Sequence, residues 1–373
     1  MPDPRGRGRT TNSASPSARP RSGTSARARV TTSSRPHVRA APHREFPIVS
    51  ICVPAFAGTN QTLASLAQVS GLVRHLVLAD ARPHGPQTRF LMAHLKASRP
   101  KAVIFGGWSH LYEPFLAARG AAPRWMVYWS SSTGQMQISG EVEKYVRVIG
   151  DRRIAAVLYA DAHLARSAAA QLKVARYVPV CAPLPVHAPR RPPAARRGTT
   201  VLSLFFSPLE TARKNPFTTL LALAGLQQPY LLYVNGWSRH PPYRTLLRQL
   251  AIRYRDFGWM RRDAYERRLA EVDLGLQVSL SESYSQVTAD HLQRGIPVIV
   301  SQAVPVLGSL APALRAKLVV TNADDPAALR AAIARLVARP RLRRRIGAAL
   351  RRQFVIDNRA RIRTARRALR TLT

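Results

Sequence analysis

The stretch from Leu274 to Ser301, LGLQVSLSESYSQVTADHLQRGIPVIVS, constrains the fold more than any other part of the chain. Leu274–Val278 is an apolar run of strand length, followed by a Ser-rich turn that carries Glu282. Ser285–Arg294 then reads as a helix with a glycine stop at Gly295, and Pro297–Val300 as a second apolar strand. Glu282 stands at the carboxyl end of the first strand, while Ser285, Gln286 and Val287 open the helix. The first N–H groups of a helix lack intrahelical acceptors and sit at the positive end of its dipole, so this turn is a ready anion pocket. In open α/β sheets ligands bind beyond the carboxyl ends of the strands. Asp290 follows Glu282 by eight residues, read as about two helical turns, and is expected to line the same cleft.

The rest of the chain repeats this alternation of strand and helix. Apolar strands are expected at Phe46–Val53, His75–Ala79, Ala102–Phe105, Trp125–Trp129 and Ile154–Tyr159, with helices near Leu63–Val73 and Gln87–Ala97. Such alternation indicates parallel βαβ units. A Pro/Arg-rich segment, APLPVHAPRRPPAARR at 182–197, interrupts it, and the pattern resumes at Val201. Asn215-Pro216 and Asp325-Pro326 are helix starts, each with a capping residue before a first-turn proline. After Pro340 the chain reads as helix to its end, with Leu342, Ile346, Leu350 and Phe354 as an apolar stripe. The organisation expected is a basic disordered tail over 1–45, a first α/β domain over 46–182, a linker over 183–199 and a second α/β domain over 200–352. A terminal helix over 353–373 is placed to cross back onto the first domain, with Ile362–Leu369 as the contact.

Charge bounds the partners. The formal net charge is +39, and of 58 basic residues only 6 are lysine, an arginine bias that GC-rich coding produces without selection for a partner. A surface this basic associates with polyanions generally, including anionic membrane and sugar diphosphates. No zinc-finger, helix-turn-helix or aromatic-interleaved RNA motif accompanies it, so specific nucleic-acid binding is not expected. Cys52 and Cys181 are the only cysteines, too few for a disulfide framework or a zinc site. With no apolar run of membrane-spanning length and no apolar leader, the expected location is cytoplasmic, with room for peripheral association at the inner membrane face.

Glu282-x7-Asp290 followed by Gly295-Ile296-Pro297-Val298 resembles the carboxyl-terminal signature of nucleotide-sugar glycosyltransferases with the GT-B fold, especially the large retaining family 4. The elements ahead of it keep the order of that family's donor domain. Val201–Phe206 is similar to its first strand, and 207–215 to the loop supplying a diphosphate-binding lysine, here Lys214. Tyr230–Gly236 is similar to the next strand, and Phe257-Gly258-Trp259 to the turn against the nucleobase. Two positions depart from the pattern: Pro208 stands where an arginine is usual, and Asp290 where a glutamate is. Arg213 is placed to supply the missing charge.

The resemblance implies two Rossmann-like domains facing a cleft, and transfer of a sugar from a nucleoside-diphosphate sugar, with retention, to a glycan, lipid or small-molecule acceptor. It implies that Glu282 contacts the donor sugar and that Asp290 binds the ribose. Lys214, Arg213 and the amides of Ser285, Gln286 and Val287 would hold the diphosphate, and Trp259 the base. On the acceptor side His110, in the Gly106–His110 turn after the Ala102–Phe105 strand, is the candidate catalytic residue. The Trp129–Ser132 loop occupies the place where many relatives carry a histidine. No cofactor beyond the donor is implied. No two aspartates are spaced D-x-D, and the nearest substitutes are Glu271-Val272-Asp273 at a strand entrance and Glu141-Val142-Glu143 at a helix start. The expected activity is therefore metal-independent. The competing reading is a catalytically weak protein of the same fold that binds nucleotides or polyanions through its basic surface.

Overall fold

The computed structural model describes residues 46–54, 56–80, 82–118, 123–160, 165–166, 177–179, 198–206, 211–237, 240–308 and 310–372. The tail 1–45, Cys181, the linker up to residue 197, and 207–210 with Pro208 lie outside these residues. Among the described residues there are two six-stranded sheets, parallel throughout.

The amino-terminal sheet is built from β1 (Ile48–Cys52), β2 (Val73–Val77), β3 (Ala102–Gly106), β4 (Arg124–Trp129), β5 (Ile154–Tyr159) and β6 (Tyr177–Pro179), in the order β2-β1-β3-β4-β5-β6. The carboxyl-terminal sheet comprises β7 (Thr200–Leu204), β8 (Tyr230–Val234), β9 (Tyr254–Asp256), β10 (Leu274–Gln277), β11 (Val298–Ser301) and β12 (Val319–Val320). Its order is β12-β11-β10-β7-β8-β9, a doubly wound arrangement. The inner strands are buried end to end, as strands covered by helices on both faces must be: every residue of Ile48–Cys52, Ala102–Gly106 and Thr200–Leu204 is buried.

The helices that join the strands cover both faces. Ala57–Ser70 starts six residues before the expected Leu63 because Phe56 gives no side-chain cap and the first turn carries small polar residues, so the apolar period becomes visible only from Leu63. The helices Thr133–Ile138, Pro241–Gln249, Arg262–Leu269 and Pro312–Leu318 and the edge strand β9 were not expected from the sequence. Asp325 caps its helix by accepting from the amides of Ala327 and Ala328, both at 2.9 Å. Asn215 takes the N-cap position differently. Its left-handed backbone (φ 48°) suits asparagine, and its side chain ties the Ala323–Asp324 loop to the helix Pro216–Ala224 instead of capping it.

The last helix, Pro340–Leu372, is continuous for 33 residues. Ile346, Leu350 and Phe354 belong to the carboxyl-terminal core, whereas Ala365, Leu369 and Leu372 pack with Ile48, Leu63 and Leu66 of the amino-terminal one. Where it passes the helix Gln286–Arg294, two glycines let the backbones touch: a Cβ on Gly347 would lie 1.9 Å from the carbonyl oxygen of Gly295. No described helix is long and apolar enough to cross a membrane.

Candidate active site

Strand order determines where a site forms. In the carboxyl-terminal sheet β7 and β10 are neighbours, but the chain leaves them in opposite directions, towards β8 and towards β11, so the loops beyond their carboxyl ends part and leave a crevice. In the amino-terminal sheet the same divergence falls between β1 and β3. The two crevices open into one cavity of about 840 Å3. Pro54, Phe56, Thr59, Trp108, Ser130 and Ser131 line it from one side and Lys214, Glu282 and the start of the helix Gln286–Arg294 from the other. The walls are bridged: Gln286 Nε2 donates to Thr62 Oγ1 at 2.6 Å, and Ser132 and Ser281 share a hydroxyl hydrogen bond at 3.0 Å.

The carboxyl-terminal wall is charged. Lys214 and Arg213 are 6% and 5% exposed, and both point at Glu282, itself 7% exposed. The Lys214 ammonium and the Ser279 hydroxyl (2.9 Å) donate to Glu282 Oε1, and Arg213 Nη1 lies 3.0 Å from Oε2. Burial opposes ionisation of Glu282, but the charges of Lys214 and Arg213 outweigh it and hold the carboxyl below its usual range. Two buried cations against one carboxylate leave a net positive charge in the wall. Ser285, with a left-handed backbone (φ 65°), turns the chain into the helix, whose first residues Gln286 and Val287 line the same cavity. Helix amides without intrahelical acceptors therefore add to the positive end of this site. A non-glycine residue in that conformation costs about 1 kcal/mol or more, so the surrounding fold enforces the turn.

Trp259 also lines the cavity and is 62% exposed, an aromatic face presented to solvent at its rim. Asp256 shapes that turn by accepting from the amides of Gly236 (2.7 Å) and Gly258 (2.9 Å).

Two of the expected residues stand elsewhere. Asp290 does not line the cavity: its carboxylate is buried, and Arg262 grips both oxygens at 2.7 Å, with Gln293 adding a third hydrogen bond at 3.0 Å. The helix begins only at Gln286, so Asp290 lies in its second turn rather than two turns beyond Glu282. His110 is exposed and lines a separate cavity of about 500 Å3 in the amino-terminal half. That cavity shares Pro54, Phe56, Trp108 and Lys144 with the main one but does not include the charged cluster. Of the hydroxyl residues on the amino-terminal wall, Ser131 lies in the Trp129–Ser132 loop, whereas Thr62 escaped the sequence reading, because a threonine inside the helix Ala57–Ser70 carries no distinguishing pattern.

No protein-family model and no curated protein sequence matches this chain. Solved structures match it by shape. Sucrose-phosphate synthase from Thermosynechococcus elongatus superposes with a TM-score of 0.66 at 13% identity, covering 87% of this chain and 98% of that one. HepE from Anabaena, solved in complex with UDP and glucose, gives 0.61 at 12% identity over 87% and 98%. WaaG, a glycosyltransferase involved in lipopolysaccharide biosynthesis, gives 0.56 at 13% identity over 82% and 94%. At such identities the likeness speaks for the fold: this chain has the α/β, two-domain GT-B-like architecture of these glycosyltransferases.

Proposed function

We propose that the protein transfers a glycosyl group from a nucleoside-diphosphate sugar bound against its carboxyl-terminal half, with retention and without a metal ion. The observation that carries this reading is the buried Lys214–Glu282–Arg213 cluster beside a helix N-terminus, at the switch point of a doubly wound sheet. Its net positive charge suits a departing diphosphate, and pre-oriented donors there stabilise charge that develops as the sugar leaves. In this reading Lys214, Arg213 and the amides at Ser285–Val287 hold the diphosphate, Glu282 contacts the sugar and Trp259 faces the base. A ribose reaches Asp290 only if the ion pair with Arg262 opens.

The same observation favours one competitor. Lys214 and Asp290 are both already satisfied internally, which suits a protein that binds nucleotide weakly and turns over little. A panel of UDP-, GDP- and ADP-sugars decides between them, read by thermal shift and by nucleotide release in excess EDTA. Transfer predicts stabilisation by one base and turnover that EDTA leaves unchanged. Stabilisation without turnover points to the binding protein, and turnover abolished by EDTA and restored by Mg²⁺ removes the metal-free chemistry.

A further inference from the structure

The cavity has a second carboxylate. Among the described residues that line it, the acids are Glu282, neutralised by two cations, and Glu141, on the opposite wall. Glu141 precedes the helix Val142–Gly150, and its backbone is held on both sides: its amide donates to Met136 O at 2.8 Å, and its carbonyl accepts from Tyr145 N at 3.0 Å. Its side chain is oriented by a single group, the hydroxyl of Ser131 beyond the end of β4, which donates to Oε2 at 2.5 Å. In a chain with 58 basic and 19 acidic residues, a carboxylate at a cleft wall would ordinarily be taken by an arginine. None forms an ion pair with Glu141 among the described residues, and Oε1 is left for something in the cavity.

We propose that Glu141 is the catalytic residue of the acceptor side, a role that rests on the glycosyl-transfer reading. The acceptor is a hydroxyl compound whose O–H donates to Glu141 Oε1. The acceptor oxygen bonds to the anomeric carbon on the face that the diphosphate leaves, so that configuration is retained, and its proton passes to Glu141. The bond from that carbon to the diphosphate breaks, and its electron pair stays on the diphosphate, opposite Lys214. Glu141 then returns its proton to solvent. Ser131 is a positioning residue: it fixes Oε2 and so the direction in which Oε1 faces. The Ser130–Ser132 loop carries no histidine, and the neighbouring Glu141 supplies a proton acceptor to that wall.

The test is turnover of UDP-glucose and GDP-mannose by the full chain, with water as the acceptor, for the wild type, Glu141→Ala and Glu141→Gln, and UDP affinity by calorimetry alongside. Glu141→Ala should lower kcat by about 100-fold, the scale of one acid–base group, with donor KM and UDP affinity within about twofold. Sodium formate should restore a substantial part of the rate to Glu141→Ala and none to Glu141→Gln, whose amide fills the space. Turnover by Glu141→Ala at the wild-type rate, or a loss that formate leaves untouched and that UDP affinity shares, overturns the assignment. A wild type that binds UDP and turns over no donor overturns the transfer reading instead.

Discussion

The two halves share a plan and differ in what they bring to the cleft. Each is a parallel sheet with a crevice where the chain reverses its direction of winding, and each sets a histidine, half-buried in one and fully buried in the other, against a serine of its first strand. In the amino-terminal half Ser50 on β1 donates to His75, whose other nitrogen donates to Asn60 at 2.6 Å. In the carboxyl-terminal half Ser203 on β7 donates to His291, whose Nδ1 donates to Val287 O at 2.7 Å. Both rings are neutral, with burial pushing each down to about 4. The cleft walls diverge: one presents paired charges and helix amides, the other hydroxyls, one carboxylate and Lys144. In the proposed transfer a leaving diphosphate needs fixed charge, whereas an acceptor hydroxyl needs hydrogen-bond partners of matching strength, and that proposal assigns the two walls accordingly.

The largest effect should come from breaking the charged wall. Glu282→Gln leaves Lys214 and Arg213 buried without their carboxylate, and should destabilise the protein by about 3–5 kcal/mol. Added UDP should recover more stability in the variant than in the wild type, because the diphosphate replaces the missing charge. Equal stabilisation by UDP in both would detach the cluster from the nucleotide.

Acid tests the feature the halves have in common. A histidine held at about 4 and unfolding to an ordinary 6.5 lets the unfolded state take up its proton first. Stability is therefore intact above pH 6.5 and should be lost as pH falls towards 4, by about 3 kcal/mol for His291, with His75 acting in the same direction. Glu282, held low by its cations, adds a further loss as it protonates at still lower pH. Denaturant midpoints measured between pH 7.5 and 4 should show the slope, and His291→Asn should flatten it. A flat wild-type profile would contradict the neutral, buried assignment.

The smallest effect concerns one contact on the donor wall. Lys214→Ala should weaken nucleoside-diphosphate binding by about 1.5–3 kcal/mol, the scale of a charge-assisted hydrogen bond. Arg213 remains to hold Glu282, so the fold should survive. Unchanged affinity for a nucleotide that binds the wild type would remove Lys214 from the site.

The same asymmetry explains how much was legible in the sequence. Strands with continuous apolar runs, such as Ile154–Tyr159, were read to the residue because burial on both faces leaves no polar position to blur their ends. Lys214, Glu282 and Ser285–Val287 were found together because a strand end, a scarce lysine and a helix start are each visible in one dimension. Asp290 was expected to line the cleft, but spacing gives turns and not the arginine 28 residues away that claims the carboxylate. Glu141 looked like half of an ordinary acidic helix start, and its bond to Ser131 exists only once β4 and the next helix are folded together.

The unbroken helix Pro340–Leu372 gives these walls a mechanical relation. At about 1.5 Å per residue it is a rod of roughly 50 Å, anchored at one end in each core, and between those ends Arg361 stacks 4.8 Å above the ring of Tyr284 in the cleft wall. A rod anchored at both ends resists the wide swing of a simple hinge, so movement between the walls is confined to small rotations about and along its axis. Tyr284 rides on the fulcrum. A ligand that moves the Glu282–Ser285 turn thus acts, through Tyr284, on the helix that ties the two halves together.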